Sequence, residues 1–306
     1  MITLVIGGSG FIGSHLVDEL LAAGHRVRVF DRSPERFRAA SAGVDLVQGD
    51  LGDTALLAEA LSDVGQVFHL VSTTVPATSN LDPAADIRGN LINTVRLLEL
   101  MRAAKVRRMV YLSSGGTVYG IPQTDPVAET HRLQPISSYG IVKVAVENYL
   151  MMEAYLHGLE PVILRASNPY GPRQGHGGVQ GVIGTFLWKI AQGDPIQIWG
   201  DGSVVRDFIH VRDLAQLCVL AAETGIVGTF NAGSGAGHSI AEVVDTIAAV
   251  TGRKIVPLRK EGRGFDVPRV VLDISAIRAT TGWAPTIPLQ DGIAETWAWV
   301  CRQGVI

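Results

Sequence analysis

A glycine loop directly after a short apolar run constrains this chain most. Thr3-Leu4-Val5-Ile6 reads as a buried strand, Gly7-Gly8-Ser9-Gly10-Phe11-Ile12-Gly13 follows at once, and Ser14 to Ala23 reads as a helix. Glycines at 7, 10 and 13 in that context permit a tight turn and a close approach of backbone to a pyrophosphate, whose charge then faces the helix N-terminus. The same glycines also occur as plain turn chemistry. Asp31, at the end of the second apolar run Arg26 to Phe30, tips the balance toward a dinucleotide site. A carboxylate there accepts both ribose hydroxyls of an adenosine and repels a 2′-phosphate, which favours NAD over NADP. Arg32 follows directly and softens that choice.

The runs Val44-Asp45-Leu46-Val47, Val67-Phe68-His69-Leu70 and Met109-Val110-Tyr111-Leu112 supply three more strands. Helical stretches lie between them, Thr54 to Leu61 and Asn90 to Ala104 among them. Such alternation predicts an α/β fold, a Rossmann-type doubly wound parallel sheet with helices on both faces. Past about Asn168 the strands shorten and turns multiply. We therefore expect an NAD-binding domain over 1–168 and a smaller C-terminal α/β substrate lobe over 169–306. The two interleave, because helices such as Val211 to Ala222 can return to the sheet.

At 306 residues, 47% hydrophobic and 18% charged, the chain has ample material for a core. Its net charge of −3 provides no global field for nucleic acid or an anionic membrane. An anionic ligand must instead be held by local Arg side chains and backbone N–H groups. The apolar start is too short for a signal sequence and no apolar run reaches membrane-spanning length, so a cytoplasmic location is expected, with Cys218 and Cys301 as free thiols. His15, His69, His131, His176, His210 and His238 show no ligand spacing, and no metal site is expected.

Tyr139 and Lys143 are four residues apart in a stretch, Ser137 to Leu156, that reads as a helix, so both lie on one face. A free phenol, with a pKa near ~10, is too weak an acid to serve as a base at neutral pH. An adjacent ammonium and a cationic nicotinamide both favour the phenolate. A lone Tyr-x-x-x-Lys is common by chance; downstream of the glycine loop it predicts proton transfer beside a redox cofactor.

Taken with Ser113-Ser114-Gly115-Gly116-Thr117-Val118-Tyr119-Gly120 and Arg165-Ala166-Ser167-Asn168-Pro169-Tyr170-Gly171-Pro172, these motifs resemble the extended short-chain dehydrogenase/reductases. Within that superfamily the chain is most similar to the NAD-dependent nucleotide-sugar epimerases, over nearly its whole length. The resemblance implies C4 inversion of a UDP-sugar through a transient 4-keto intermediate, tightly held NAD, and a homodimer seamed by the Asn90–Ala104 and Ser137–Leu156 helices. It implies cofactor contacts from Phe11, Ile12, Leu51, Leu70, Ser72, Asn90 and Ser113 beside the residues above. Asp50, after the third strand, would sit by the adenine amino group or simply cap a helix.

On the substrate side the resemblance implies Asn168 and Arg206 on the diphosphate, Ile198 in an edge strand at the uracil, Arg263 on the diphosphate and Asp266 on the ribose. The lesser alternative for Arg206 and Asp207 is a surface ion pair, and Trp199 reads equally as core. Val270 stands where related enzymes limit bulk on the sugar, and Arg269 beside it faces either the sugar or water. The chain departs from the family in one place: Gly115 stands where a third catalytic hydroxyl is usual. Ser114 or Thr117 can substitute, with Thr117 nearer the sugar in this reading. Two other readings remain: a nucleotide-sugar reductase or dehydrogenase with net cofactor turnover, and a non-catalytic NAD-binding regulator.

Overall fold

A computed structural model describes residues 1–38, 43–175, 181–262 and 267–305. The chain divides into two compact units, one formed by residues 1–120, 132–165 and 215–230, the other by 121–131, 166–214 and 231–306. No helix among the described residues is long and apolar enough to cross a membrane.

The first unit is built on a seven-stranded sheet. Its strands are β1 (Ile2–Ile6), β2 (Arg26–Asp31), β3 (Val44–Gln48), β4 (Val64–His69), β5 (Arg108–Ser114) and β6 (Glu160–Ala166), with Gly228–Ala232 at the edge. The order across the sheet is Gly228–Ala232, β6, β5, β4, β1, β2, β3. From β3 to β5 every neighbour pairs in parallel. The side chains alternate as a strand requires. Leu4, Ile6, Phe30, Met109 and Ile163 join one core with Leu57, Leu97, Met101, Val146 and Leu150 from three helices. Val5, Val29, Phe68 and Val110 on the opposite face are equally buried, so both faces are covered. The expected Rossmann-type architecture is therefore present. Strand order reverses between β1 and β4, which opens the crevice where doubly wound sheets bind ligands.

Local sequence explains the small differences in element bounds. Helix α1 runs Phe11–Ala22, starting three residues earlier than expected because extended Gly10 acts as its N-cap and Gly13 lies inside the helix. A Cβ on Gly13 would come within 2.0 Å of the Gly7 carbonyl oxygen. That contact is with backbone, so no rotamer relieves it. We expect Gly13→Ala to weaken NAD binding at least ~10-fold and to lower the melting temperature, measured by cofactor titration and thermal unfolding. The helix expected from Asn90 begins only at Asn93 and runs to Ala103; a wide π-type turn over Ile87–Ile92 precedes it and carries Asn90.

The second unit holds a four-stranded sheet in which Val205–His210 pairs with Asn168–Tyr170, Gly237–Ser239 and Arg269–Val270, and a two-stranded pair, Gln197–Trp199 with Leu258–Lys260. Its apolar core joins Phe186, Trp188 and Ile190 to Val243, Ile247, Ile293 and Val300.

Candidate active site

The glycine loop lies at the C-terminal end of β1. Gly7 takes φ +92°, and an added Cβ there would meet Val71 Cγ2 at 2.9 Å, so only glycine fits. The backbone N–H of Ser9 donates to Asp31 Oδ2 at 3.0 Å and that of Ser33 to Oδ1 at 2.9 Å. Asp31 is thus fixed at the β2 end beside the loop, and Arg32 next to it is exposed. Ser9 Oγ is buried in this loop with no hydrogen-bond partner. An orphaned hydroxyl beside a narrow glycine cradle fits a phosphate-bearing ligand.

Tyr139 and Lys143 are placed by the Ser138–His157 helix, which starts because Ser137 accepts from Gly140 N and ends on left-handed Gly158. Tyr139, Lys143 and Glu147 follow one another at four-residue spacing on its inner side. Lys143 is buried and its Nζ donates to the Leu112 carbonyl at the end of β5, 2.8 Å away. The ammonium lies 4.7 Å from the Tyr111 ring centroid and 5.6 Å from that of Tyr139. A small cavity is lined by His69, Ser72, Asp86, Asn90, Tyr139 and Lys143, among others.

Burial dominates the electrostatics. It pushes the Tyr139 phenol up to about 12, Asp86 adds to the rise, and hydrogen bonds with Ser114 and Ser72 oppose it. Burial outweighs these hydrogen bonds, so the phenol of the chain by itself is protonated at neutral pH. Burial also draws Lys143 down to about 8, against the upward pull of Glu147 and Asp86. His69 falls to about 3 through burial and the Lys143 charge, so it stays neutral at working pH. Its Nε2 faces Thr94 Oγ1 at 2.9 Å, and that hydroxyl donates to the Asn90 carbonyl.

Ser114 is the hydroxyl that reaches Tyr139, whereas Thr117 Oγ1 points back at the Ser114 carbonyl at 3.5 Å. Several residues expected at the cofactor are engaged within the protein. Ser113 donates to Glu147, and the Asn90 amide donates to Asp86 Oδ1 and accepts from Thr73 N. Asp50 Oδ1 accepts from Gly52 N and so caps a turn, while the following helix, Thr54–Ala60, is capped by Asp53. Leu51 is core, and Leu70 N donates to the Ile6 carbonyl between the ends of β4 and β1. Phe11 and Ile12 form the first turn of α1.

In the second unit, Asn168 Nδ2 donates to the Asp207 carbonyl at 2.8 Å, and Arg206 Nη1 donates to the Val205 and Val267 carbonyls. Asp207 is buried and accepts from Ser234, Gly235 and Leu272, so the surface-ion-pair alternative for Arg206 and Asp207 does not hold. Burial raises its pKa, and the hydrogen bonds it accepts oppose the shift. Ile198 and Val270 are buried; Trp199 is not core, being 41% exposed with Lys260 Nζ 5.4 Å from its ring. Arg269 is engaged by Asp125 at 2.5 Å. Arg263 and Asp266 lie outside the described residues.

Sequence reading missed the residues that hold the pair in place. Asn80 Oδ1 accepts from Ser138 N, Ser79 Oγ from Tyr139 N, and Asp86 Oδ2 from Ser138 Oγ. Glu147 is clasped by Arg165, whose Nη1 donates to the Tyr119 hydroxyl. A local signal existed only for Glu147, which continues the spacing of Tyr139 and Lys143.

The comparisons with known proteins agree with this geometry. The family model for the NAD dependent epimerase/dehydratase family matches residues 3–233. UDP-glucose 4-epimerase of Mycolicibacterium smegmatis is 38% identical, over 97% of each chain. The crystal structure of UDP-glucose 4-epimerase with UDP-glucose from Thermotoga maritima superposes with a TM-score of 0.93 at 33% identity, covering 99% of both chains. The Thermus thermophilus UDP-glucose 4-epimerase complex with NAD gives 0.91 at 34% identity, covering 98% of this chain and 99% of that one. The glycine loop, Asp31 at the end of β2 and the Tyr139–Lys143 pair thus occur in a chain matched along nearly its full length, and the chain belongs to the NAD-dependent epimerase/dehydratase family.

Proposed function

We propose that this protein is a UDP-sugar 4-epimerase that keeps its NAD bound through the cycle. The observation that carries the reading is Tyr139 and Lys143 in one small cavity beside the glycine cradle, with Ser114 hydrogen-bonded to the phenol. When bound, NAD supplies a hydride acceptor and donor together with a positive ring charge that favours the phenolate. Tyr139 takes the proton of the sugar 4-hydroxyl as C4 is oxidised and returns it after the 4-keto sugar has presented its other face. Ser114 orients that hydroxyl, and Lys143 holds the nicotinamide ribose and favours the anionic phenol. Gly7, Gly10 and Gly13 admit the pyrophosphate, and Asp31 takes the adenosine ribose. Asn168, Arg206, Arg263 and Asp266 are assigned to the UDP diphosphate and ribose, and Val270 leaves room for a 2-acetamido group.

The test is direct. Purified protein is mixed with UDP-glucose, UDP-N-acetylglucosamine and their uronates without added cofactor, and the C4 epimer is sought by NMR. Net consumption of added NADH with a keto-sugar would select the reductase reading instead. Binding of NAD without turnover of any sugar would select the regulator.

The homodimer is part of the same proposal. Ile141, Met152, Tyr155 and Leu156 are exposed on the outer side of the Ser138–His157 helix, and Ile87 and Ile92 on the turn leading into Asn93–Ala103. Apolar surface of this kind marks an association face. Met152→Glu with Tyr155→Lys should convert the protein from dimer to monomer in light scattering. An unchanged mass would remove this seam from consideration.

A further inference from the structure

The segment between β4 and the Asn93–Ala103 helix contains one buried ionisable group that the reaction scheme leaves unused. Asp86 is fully buried, yet it ends a four-residue turn, Pro83–Asp86, on the wall of the catalytic cavity. Each of its oxygens is occupied. Oδ1 accepts from Thr74 Oγ1 at 2.6 Å and from Asn90 Nδ2 at 2.8 Å; Oδ2 accepts from Ser138 Oγ at 2.7 Å. All three donors are uncharged. Glu147, the other carboxylate acting on Lys143, is by contrast paired with the Arg165 guanidinium at 2.7 Å. Asp86 therefore presents a net negative charge to the cavity, in a setting where burial leaves charges poorly screened.

We propose that Asp86 is a positioning residue for the Tyr139–Lys143 pair, pinning the first turn of their helix and supplying the negative charge that Lys143 faces across the cavity. The pinning is geometric. Ser138, the residue before Tyr139, is tied by its hydroxyl to Asp86 and by its N–H to Asn80, and Tyr139 N is tied to Ser79. A carboxylate 52 residues upstream of Ser138 thus helps to set where the phenol begins. The charge works on both partners in one direction, raising the proton affinity of Lys143 and of Tyr139. The other ionisable groups around Lys143 are Tyr139 and Glu147 on its own helix, Tyr111 on β5 and His69 on β4. His69 is neutral and Tyr111 is held protonated by burial. Asp86 and Glu147 are thus the anions that offset the burial of the ammonium.

The inference rests on the proposed roles of Tyr139 and Lys143, and its test separates the two. The pH dependence of kcat is measured on the holoenzyme for wild type, Asp86→Asn, Asp86→Ser and Ser138→Ala. Removing the charge should let Lys143 lose its proton sooner, so the basic limb of kcat moves down by about one pH unit in both neutral Asp86 variants. Ser138→Ala removes the tether and leaves the charge, so kcat should fall several-fold with the limb in place. Neutral variants whose profiles match wild type after scaling would overturn the proposal. So would neutral variants that do not fold, since Asp86 would then be a scaffold residue only. A wild-type protein that epimerises no UDP-hexose would refute the function itself, a result distinct from an active enzyme with an unmoved limb.

Discussion

Tyr139→Phe should lower kcat for C4 epimerisation by about 10²–10⁴-fold, the usual range for loss of a general acid–base group. Folding and NAD content should stay near wild type, because the phenol oxygen is tied to the Ser114 and Ser72 hydroxyls and the ring is kept. The pH dependence carries more information than the rate. With the phenol pushed up to about 12 by burial, the resting protein holds Tyr139 protonated at neutral pH. With NAD bound, whose ring charge favours the phenolate, activity should rise with pH as the phenol ionises and fall again where Lys143, drawn down by burial, loses its charge. A phenyl ring in place of the phenol has no proton to lose, so the rising limb should vanish from the residual activity of Tyr139→Phe. Wild-type turnover in this variant would remove Tyr139 from the chemistry.

Arg165→Met should be the most destabilising single change beneath the site, costing about 3–5 kcal/mol. The Arg165 and Glu147 side chains are only 6% and 5% exposed. Arg165 binds both Glu147 oxygens and also donates to the Tyr119 hydroxyl. Removing the guanidinium leaves a carboxylate whose remaining partner is the Ser113 hydroxyl. The cost arises mainly from that uncompensated charge, so Arg165→Met with Glu147→Leu should recover much of the loss. Denaturant midpoints of the two variants decide it: a double variant no more stable than the single would show that the packing, not the charge, is what matters. The same guanidinium fixes the Glu147 carboxylate beside Lys143, so Arg165→Met should also reduce kcat.

The features legible in the amino-acid sequence are those whose physics is local. Gly7, Gly10 and Gly13 are recognisable because only residues without a Cβ tolerate the contacts of a strand–turn–helix crossing, which lies within a few residues of chain. Asp31 is found because it ends the next strand, and Tyr139 with Lys143 because one helical turn separates them. The short apolar runs of β1, β2 and β4 likewise need no partner to be seen. The choice between Ser114 and Thr117 was not legible, since both are hydroxyls near the same strand end. Backbone geometry after β5 separates the two, turning Thr117 back on the Ser114 carbonyl while Ser114 reaches Tyr139.

What the folded chain alone decides is how the charges are held. Asp86 and Ser138 are 52 residues apart, Arg165 and Glu147 18, Arg206 and Val267 61. No periodicity links such pairs, because each exists only where packed elements remove water and leave a polar group the partners that the fold supplies. Burial likewise sets the proton affinities. The sequence points to an ammonium and a cationic nicotinamide favouring the phenolate; it does not show that, inside this core, loss of solvation raises the phenol and lowers the lysine together. Residue type and order therefore determined the sheet, the glycine loop and the spacing of Tyr139 and Lys143. Tertiary structure determined which hydroxyl, which carboxylates and which proton affinities accompany them, since desolvation is a property of the packed interior and not of neighbouring residues along the chain.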